Sequence, residues 1–322
     1  MWKDFIQEFS DDYAWMANIT KPTPLIITLA VNGGMQGKEA HGAIPETIDE
    51  IVQSTYEAYK AGASVVHIHG RKPDCPWQCT DDPAVYAEIN AKIQAKCPGM
   101  IVNNTTGGGI TTTMEDRLRC LDARPEIASL NLGPDMSRFT LRERPAPLPS
   151  PHEKIDVDDC LPFTYGMIDK LAEKMKKNGI KPEMELYHEG QYWVVRELIA
   201  KKLIEPPYMI QFIMGYQTSA YPTLDNVIHL ARALPKESVF SVAGIGKYQW
   251  HMITMAILMG GHVRVGLEDN LYERKGEFLK SNAHAVEKVV RIAKELGRPI
   301  ATPAQAREIL GLPEMPTGCG HD

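Results

Sequence analysis

The sequence predicts a (β/α)₈ barrel, a parallel eight-stranded sheet closed on itself and covered by helices. Two observations predict it: short apolar runs alternate with helix-like stretches, and the alternation occurs eight times. Continuous apolar strands are typical of parallel sheets, whose two faces are both covered. The predicted strands are Leu25–Val31, Ser64–Gly70, Met100–Thr106, Ile127–Gly133, Glu183–Glu189, Met209–Gly215, Val239–Gly246 and Val263–Glu268. An open doubly wound sheet is the alternative, but the Asn32-Gly33-Gly34 segment after the first strand lacks the G-x-G-x-x-G spacing.

The helix-like segments lie between these strands. The first follows Pro45 and stops at Gly62, as expected for a helix that ends at a C-terminal glycine. The predicted helices are Glu46–Ala61, Pro83–Lys96, Met114–Ala123, Pro162–Lys177, Tyr192–Lys202, Leu224–Ala233, Tyr248–Met259 and Asn282–Leu296. A short further helix, Ala304–Leu310, is expected to form a small cap.

The barrel is predicted to be a single domain over residues 24–312. It is preceded by an N-terminal extension, residues 1–23, and followed by a C-terminal tail, residues 313–322. After the fourth strand comes a Pro-rich insertion, Pro134–Asp159, which contains three arginines. An ordered insertion of this length usually has a function, so we expect a lid or a subunit contact.

Composition excludes several classes of function. The 322 residues are 43% hydrophobic and 24% charged, which is ordinary for a globular protein. A net charge of −6 disfavours nucleic acid as a partner, because phosphate binding requires a basic face. No apolar run approaches the roughly 20 residues that a membrane span requires. The N-terminus has no basic-then-apolar signal pattern, and a cytoplasmic location is therefore expected.

The second strand ends in His67-Ile68-His69. Residues two apart on a strand point to the same side, and the active sites of such barrels lie at the carboxyl ends of the strands. Two imidazoles that converge there favour a bound cation, and neutral histidines are typical ligands of Zn²⁺. A pair of hydrogen-bonded core histidines is the structural alternative.

A third metal ligand is predicted at the end of the eighth strand. Arg264, Gly266 and Glu268 are expected to share one face of that strand, and Glu268 would complete a His₂Glu set, a known catalytic zinc arrangement. Asp269 follows where the chain leaves the strand, and Arg264 could orient it. A buried Arg–Asp–Glu network without a metal is the alternative here.

Other strand ends carry further polar residues. The third strand ends in Thr105 and Thr106 before three glycines, which allow close backbone approach to a ligand. The fourth strand offers Ser129, and the fifth offers Glu185, a candidate partner for Arg264.

Together these residues resemble the β-keto acid cleavage enzyme family. The resemblance runs from about Pro24 to Leu312. The motifs that carry it are Ile27-Thr28-Leu29-Ala30, Ala61-Gly62-Ala63, His67-Ile68-His69, Thr105-Thr106-Gly107-Gly108, Pro182-Glu183-Met184-Glu185, Val242-Ala243-Gly244-Ile245-Gly246, Gly261-His262-Val263-Arg264-Val265-Gly266-Leu267-Glu268-Asp269-Asn270 and Gly297-Arg298-Pro299-Ile300-Ala301-Thr302-Pro303.

The resemblance implies a Zn²⁺-dependent (β/α)₈ barrel that converts a β-keto acid and acetyl-CoA into acetoacetate and a new CoA ester. It implies a homotetramer. The implied residues are zinc ligands His67, His69 and Glu268, the charged catalytic set Arg264, Asp269 and Glu185, and substrate-binding residues Thr105, Gly108 and Ser129. Thr105 stands where the family has serine, and Ser129 where it has threonine, so both positions keep a hydroxyl.

Met35 departs from one branch of the family. Members that act on an amino-bearing keto acid have a glutamate at this position, which pairs with the substrate ammonium group. A thioether cannot neutralise a buried cation. Met35 is therefore expected to contact the substrate and favours a neutral or apolar tail beyond the keto group.

Two other functions fit the same metal-ligand motif. A zinc-dependent barrel hydrolase also uses an H-x-H pair, but it would need further metal-binding histidines, and His188 and His229 are the mid-chain candidates. A non-catalytic metabolite-binding barrel would keep the three predicted ligands and form no acetyl-CoA-dependent product.

Overall fold

The computed structural model describes residues 22–109 and 112–316. The strands are β1 Ile27–Ala30, β2 Val65–Ile68, β3 Ile101–Asn104, β4 Ile127–Asn131, β5 Asp135–Leu141, β6 Ile155–Leu161, β7 Lys181–Leu186, β8 Tyr208–Met214, β9 Ser238–Gly244, β10 His262–Val265, β11 Tyr272–Arg274 and β12 Glu277–Phe278. The helices are α1 Ile48–Ala61, α2 Pro83–Lys96, α3 Met114–Arg119, α4 Tyr165–Lys177, α5 Tyr192–Ala200, α6 Leu224–Arg232, α7 Gln249–Leu258, α8 Asn282–Glu295 and α9 Pro303–Leu310.

Eight parallel strands close into a barrel in the order β1-β10-β9-β8-β7-β4-β3-β2. Thr28 of β1 pairs with Val65 of β2 on one side and Arg264 of β10 on the other. This closure confirms the predicted (β/α)₈ barrel and excludes the open doubly wound sheet. The predicted extension 1–23 lies outside the described residues except for its last two positions, as does the tail beyond residue 316.

Local signals fix where the helices begin and end. The Thr47 side chain accepts a hydrogen bond from the Glu50 amide, and the Glu50 carboxylate accepts one from the Thr47 amide. This capping box begins α1 at Ile48, two residues later than the sequence pattern predicts. The helix stops at Gly62, whose φ of 123° is unfavourable for a residue with a side chain. No helix in the described ranges is long and apolar enough to span a membrane.

A small apolar cluster closes the amino-terminal end of the barrel. It combines the first residues of several strands with Ala306 and Leu310 of α9. Arg307 on the same helix forms a buried ion pair with Glu126 just before β4. The predicted C-terminal cap helix is thus present, and a larger apolar cluster joins the barrel to its surrounding helices.

The Pro-rich insertion forms an antiparallel hairpin, β5–β6, instead of an irregular loop. Along β5, buried Asp135, Ser137 and Leu141 are interspersed with exposed residues, and this alternation is characteristic of a strand with one covered face. The Ser137 hydroxyl bonds the Tyr216 hydroxyl beyond β8. Near the hairpin, Arg144 pairs with Glu46 after β1 at 2.8 Å. The insertion therefore extends across the barrel mouth and is held on both sides.

Leu310→Ala is expected to destabilise the protein by about 2–5 kcal/mol, because Leu310 is 1% exposed within the closing cluster. The measurement is urea unfolding. Leu296→Ala is the control, since Leu296 is 46% exposed and should change the free energy of unfolding by less than about 0.5 kcal/mol. Equal effects of the two substitutions would contradict the assignment of α9 as a buried closure.

Candidate active site

Three side chains converge at the carboxyl end of the barrel. His67 lies in β2, His69 follows it, and Glu268 lies in the turn after β10. One Glu268 oxygen is 3.7 Å from His67 Nε2 and 3.4 Å from His69 Nε2. The potential ligand atoms of the three residues all lie within 4.8 Å of one another. The structure therefore brings together the three predicted metal ligands.

The turn after β10 depends on glycines. The expectation that Arg264, Gly266 and Glu268 share one strand face is wrong, because β10 ends at Val265. Gly266 has φ 148°, and a Cβ there would lie 2.0 Å from the Ala30 carbonyl oxygen. Gly33, at φ 63°, lies against the Glu268 side chain, where a Cβ would be 2.8 Å from Cγ. Close backbone approach at these two positions places the Glu268 carboxylate beside the histidines.

The donor set fits a divalent metal. Glu268 Oε2 is buried and has no hydrogen-bond partner within the described chain, so the site has an unsatisfied carboxylate oxygen. Burial lowers the pKa of His67 to about 3. Burial acts the same way on His69, but the Glu268 carboxylate outweighs it and raises that pKa to about 9. Two histidines and one carboxylate are ligands that Zn²⁺ accepts in catalytic sites.

Arg264 lies at the centre of an acidic cluster. Its Nε and one terminal nitrogen donate to both Asp269 oxygens, at 3.0 and 2.8 Å. The same terminal nitrogen donates to Glu268, and the other lies 3.6 Å from Glu185. Burial raises the pKa of Glu185 to about 7, and Arg264 opposes that shift. Burial also raises the pKa of Asp269, against the same opposing charge. The Glu185 carboxyl group is suited to proton transfer near neutral pH, and the Asp269 carboxylate is a stronger base than an exposed aspartate.

A cavity of about 210 Å³ adjoins these residues. Nine of the ten predicted site residues line it: Met35, His67, His69, Thr105, Gly108, Glu185, Arg264, Glu268 and Asp269. Ser129 is not among the lining residues. Its hydroxyl accepts a hydrogen bond from the Thr106 amide at 3.0 Å, and it therefore supports the third-strand turn.

Several residues of the site are not predicted from the sequence. Ser137 and Asp159 of the hairpin, together with Tyr216 beyond β8, line the cavity. Gln211 of β8 accepts a hydrogen bond from Arg264 at 3.3 Å. Gln211 is a single amide within an apolar strand, Tyr208–Met214, and that isolation is a signal that could have identified it.

Comparison with known proteins agrees with this geometry. The family model described as beta-keto acid cleavage enzyme matches residues 24–312. The chain is 39% identical to the 3-keto-5-aminohexanoate cleavage enzyme of Acetoanaerobium sticklandii, covering 89% of this chain and 98% of that one. It is 34% identical to the 3-oxoadipate:acetyl-CoA acetyltransferase of Cupriavidus necator, covering 91% and 96%. This chain belongs to the β-keto acid cleavage enzyme family.

The fold also resembles a solved structure, the ternary complex of ObcA with a C4-CoA adduct and oxalate. The TM-score is 0.65 at 17% sequence identity, with 84% of this chain and 68% of that chain covered. At this identity the comparison supports the barrel fold alone.

The buried carboxyl group of Asp135, next to the cavity, leads to a prediction of how the stability of the protein changes with pH. Burial raises the pKa of Asp135 to about 6, although Asn131 and Thr218 donate hydrogen bonds to it. The native state therefore holds the Asp135 proton more tightly than the unfolded chain does. Ionising this group costs up to about 3 kcal/mol of stability as pH rises from well below 4 to well above 6.

Asp135→Asn removes that cost. The difference in unfolding free energy, variant minus wild type, is expected to rise by about 2.4 kcal/mol between pH 4 and pH 7. Chemical denaturation at both pH values measures it. A difference that stays constant with pH would contradict the assignment.

Proposed function

We propose that this protein is a zinc-dependent β-keto acid cleavage enzyme. The reaction is β-keto acid plus acetyl-CoA to acetoacetate plus a new acyl-CoA. The convergence of His67, His69 and Glu268 on one point of the barrel mouth carries the proposal. Family membership supports it, and the name of the Cupriavidus relative includes acetyl-CoA as the co-substrate.

His67, His69 and Glu268 would hold the metal. When bound, Zn²⁺ would supply a Lewis acid that polarises the ketone of the substrate. The unsatisfied Glu268 Oε2 supports ligation there, as do the Nε2 atoms of His67 and His69, which lie 3.7 and 3.4 Å from Glu268 Oε1.

Asp269 is proposed to remove a proton from the methyl group of acetyl-CoA. It lines the cavity, and its raised pKa makes it a stronger base than an exposed aspartate. Arg264 holds both Asp269 oxygens and so fixes the direction of the base. The guanidinium also stabilises negative charge as it develops on an enolate or alkoxide oxygen. Glu185 of β7 lies 3.6 Å from Arg264 and orients it.

The substrate carboxylate is proposed to bind at the turn after β3. Thr105 and Gly108 line the cavity there, and the Thr105 hydroxyl already accepts a hydrogen bond from the Gly107 amide at 2.9 Å. Ser129 would act through this turn, because its hydroxyl holds the Thr106 amide. A homotetramer and a cytoplasmic location are also part of the proposal, and the homotetramer rests on the family resemblance.

The tail of the keto acid is proposed to be neutral. Arg264 is the single lysine or arginine among the described lining residues, and Arg264 already contacts three carboxylates. Asp159 and Glu185 also line the cavity, and a second substrate carboxylate would meet them without a counter-charge. The apolar lining residues are Met35, Val157, Leu161, Ile213 and Ile245.

Asp269→Asn is expected to abolish acetoacetate formation while one zinc per chain stays bound, because the amide cannot accept the methyl proton. Acetoacetate release from β-keto acids with acetyl-CoA and metal analysis of the purified variant measure the two properties. Asp225→Asn, at an exposed position on α6, is the control and should keep full activity. Retained turnover in Asp269→Asn would remove the base assignment.

The same experiment separates the alternatives. A hydrolase would consume its substrate without acetyl-CoA, and a binding barrel would yield no product with any keto acid.

Substrate selection gives a second prediction. Wild-type kcat/KM for a keto acid with an alkyl tail is expected to exceed that for a dicarboxylic keto acid by at least about tenfold, because the carboxylate tail meets uncompensated acidic groups. Met35→Glu should shift preference towards an ammonium-bearing tail. A wild-type preference for the dicarboxylic substrate would refute this interpretation of the lining.

A further inference from the structure

Glu183 is a buried carboxyl group that the proposed chemistry does not use. It lies on β7 with no exposed surface and does not line the cavity. Asn103 Nδ2 of β3 donates to one of its oxygens at 2.5 Å, and Gln211 Nε2 of β8 donates to the other at 3.0 Å. Both amide side chains are themselves fully buried. The carboxylate therefore joins residues from both sides of β7 at the centre of the barrel.

The orientation of Gln211 follows from its second neighbour. Its Oε1 accepts a hydrogen bond from an Arg264 terminal nitrogen at 3.3 Å. A guanidinium can only donate, so the amide oxygen of Gln211 must face Arg264 and the amide nitrogen must face Glu183. Glu183 therefore fixes the orientation of the Gln211 amide, whose oxygen accepts a hydrogen bond from Arg264.

Asn103 connects Glu183 to the other side of the site. Asn103 is the register partner of His67 on the neighbouring parallel strand. Because the Asn103 amide nitrogen donates a hydrogen bond to Glu183, the amide oxygen Oδ1 is directed away from that carboxylate. Asn103 Oδ1 and His67 Nδ1 are both buried, and neither has a hydrogen-bond partner in the described chain. The Asn103 side chain nevertheless acts on His67 as a hydrogen-bonding neighbour, in the direction that raises the His67 pKa. An acceptor and a ring N–H are thus available to each other, and a metal-bound histidine normally donates its second N–H to such a group.

We propose that Glu183 is a positioning residue that orients the metal ligand His67 through Asn103 and the guanidinium of Arg264 through Gln211. This inference rests on the proposed function, because it takes His67 as a metal ligand and Arg264 as a catalytic group. The inference identifies one buried carboxylate, that of Glu183, which fixes the position of His67 relative to Arg264. Glu183 touches neither substrate nor metal.

The hydrogen-bond pattern provides a specific test. A carboxylate presents two acceptors to two amide N–H donors, and Glu183→Gln places an N–H donor against one of them. In the double variant Asn103→Asp with Glu183→Gln, the carboxylate and the amide exchange places. The introduced glutamine then donates to the introduced aspartate and accepts from Gln211, and the aspartate still accepts from His67. The exchange conserves the donors, the acceptors and the net charge.

The experiment measures zinc affinity by competition with a chelating dye, and kcat and KM by acetoacetate release. Glu183→Gln is expected to weaken zinc binding by about 10–100-fold, the usual effect of losing an outer partner of a metal ligand. Its kcat should fall more than KM rises, since Arg264 acts on developing charge. The double variant should recover most of the zinc affinity and kcat.

Glu126→Gln is the matched control. Glu126 is another buried carboxylate, paired with Arg307 at the closed end of the barrel. Its substitution should lower stability without changing zinc affinity. Wild-type zinc affinity in Glu183→Gln, or a double variant that is unfolded or no better than Glu183→Gln, would overturn the proposal. Failure of the wild-type protein to bind zinc would instead refute the proposed metal site.

Discussion

The buried guanidinium of Arg264 carries one positive charge but contacts several acidic groups. The chemistry of the site depends on this excess of negative charge. Arg264 lies within 4 Å of carboxylate oxygens of Glu185, Glu268 and Asp269, all inside the barrel. Glu183 lies one amide further away. Buried negative charges require protons or cations, and burial accordingly raises the pKa values of Glu183 and Glu185 to about 7. In the proposed function, a divalent ion held by His67, His69 and Glu268 would supply the missing positive charge.

This polar interior is possible because apolar packing is concentrated elsewhere. The closing cluster with α9 seals one end of the barrel, and the larger cluster joins the outer face of the sheet to the helices. Between the closing cluster and the barrel mouth, hydrogen bonds join the buried side chains of Asn103, Glu183, Gln211 and Arg264. The hairpin β5–β6 then covers the mouth and contributes Ser137 and Asp159 to the cavity. The apolar residues that stabilise the fold and the polar residues of the site therefore lie in different parts of the barrel.

Most of the site could be predicted because its residues occur in short motifs within single strands or at strand ends. The alternation His67-Ile68-His69 places two imidazoles on one strand face without reference to any distant residue. The sequence places Glu268 in the correct cluster but on a strand, whereas it lies in the turn after β10. The strand ends before Gly266, where the Ala30 carbonyl leaves no room for a Cβ. The strand Asp135–Leu141 could not be predicted from hydrophobic alternation, because Asp135 and Ser137 are buried whereas Met136 is exposed.

The network of Asn103, Glu183 and Gln211 could not be predicted from the sequence. These residues come from three strands far apart in the chain, and their hydrogen bonds exist only because the barrel closes and sets the register. The cavity-lining role of Tyr216 likewise depends on the position of the hairpin above it.

The most direct measurement is anomalous X-ray diffraction at the zinc absorption edge, from crystals of the zinc-loaded protein. The account predicts one peak per chain, at bonding distance of about 2.0–2.2 Å from His67, His69 and Glu268. A zinc ion held by other residues, or these three side chains without a metal in zinc-loaded crystals, would contradict it.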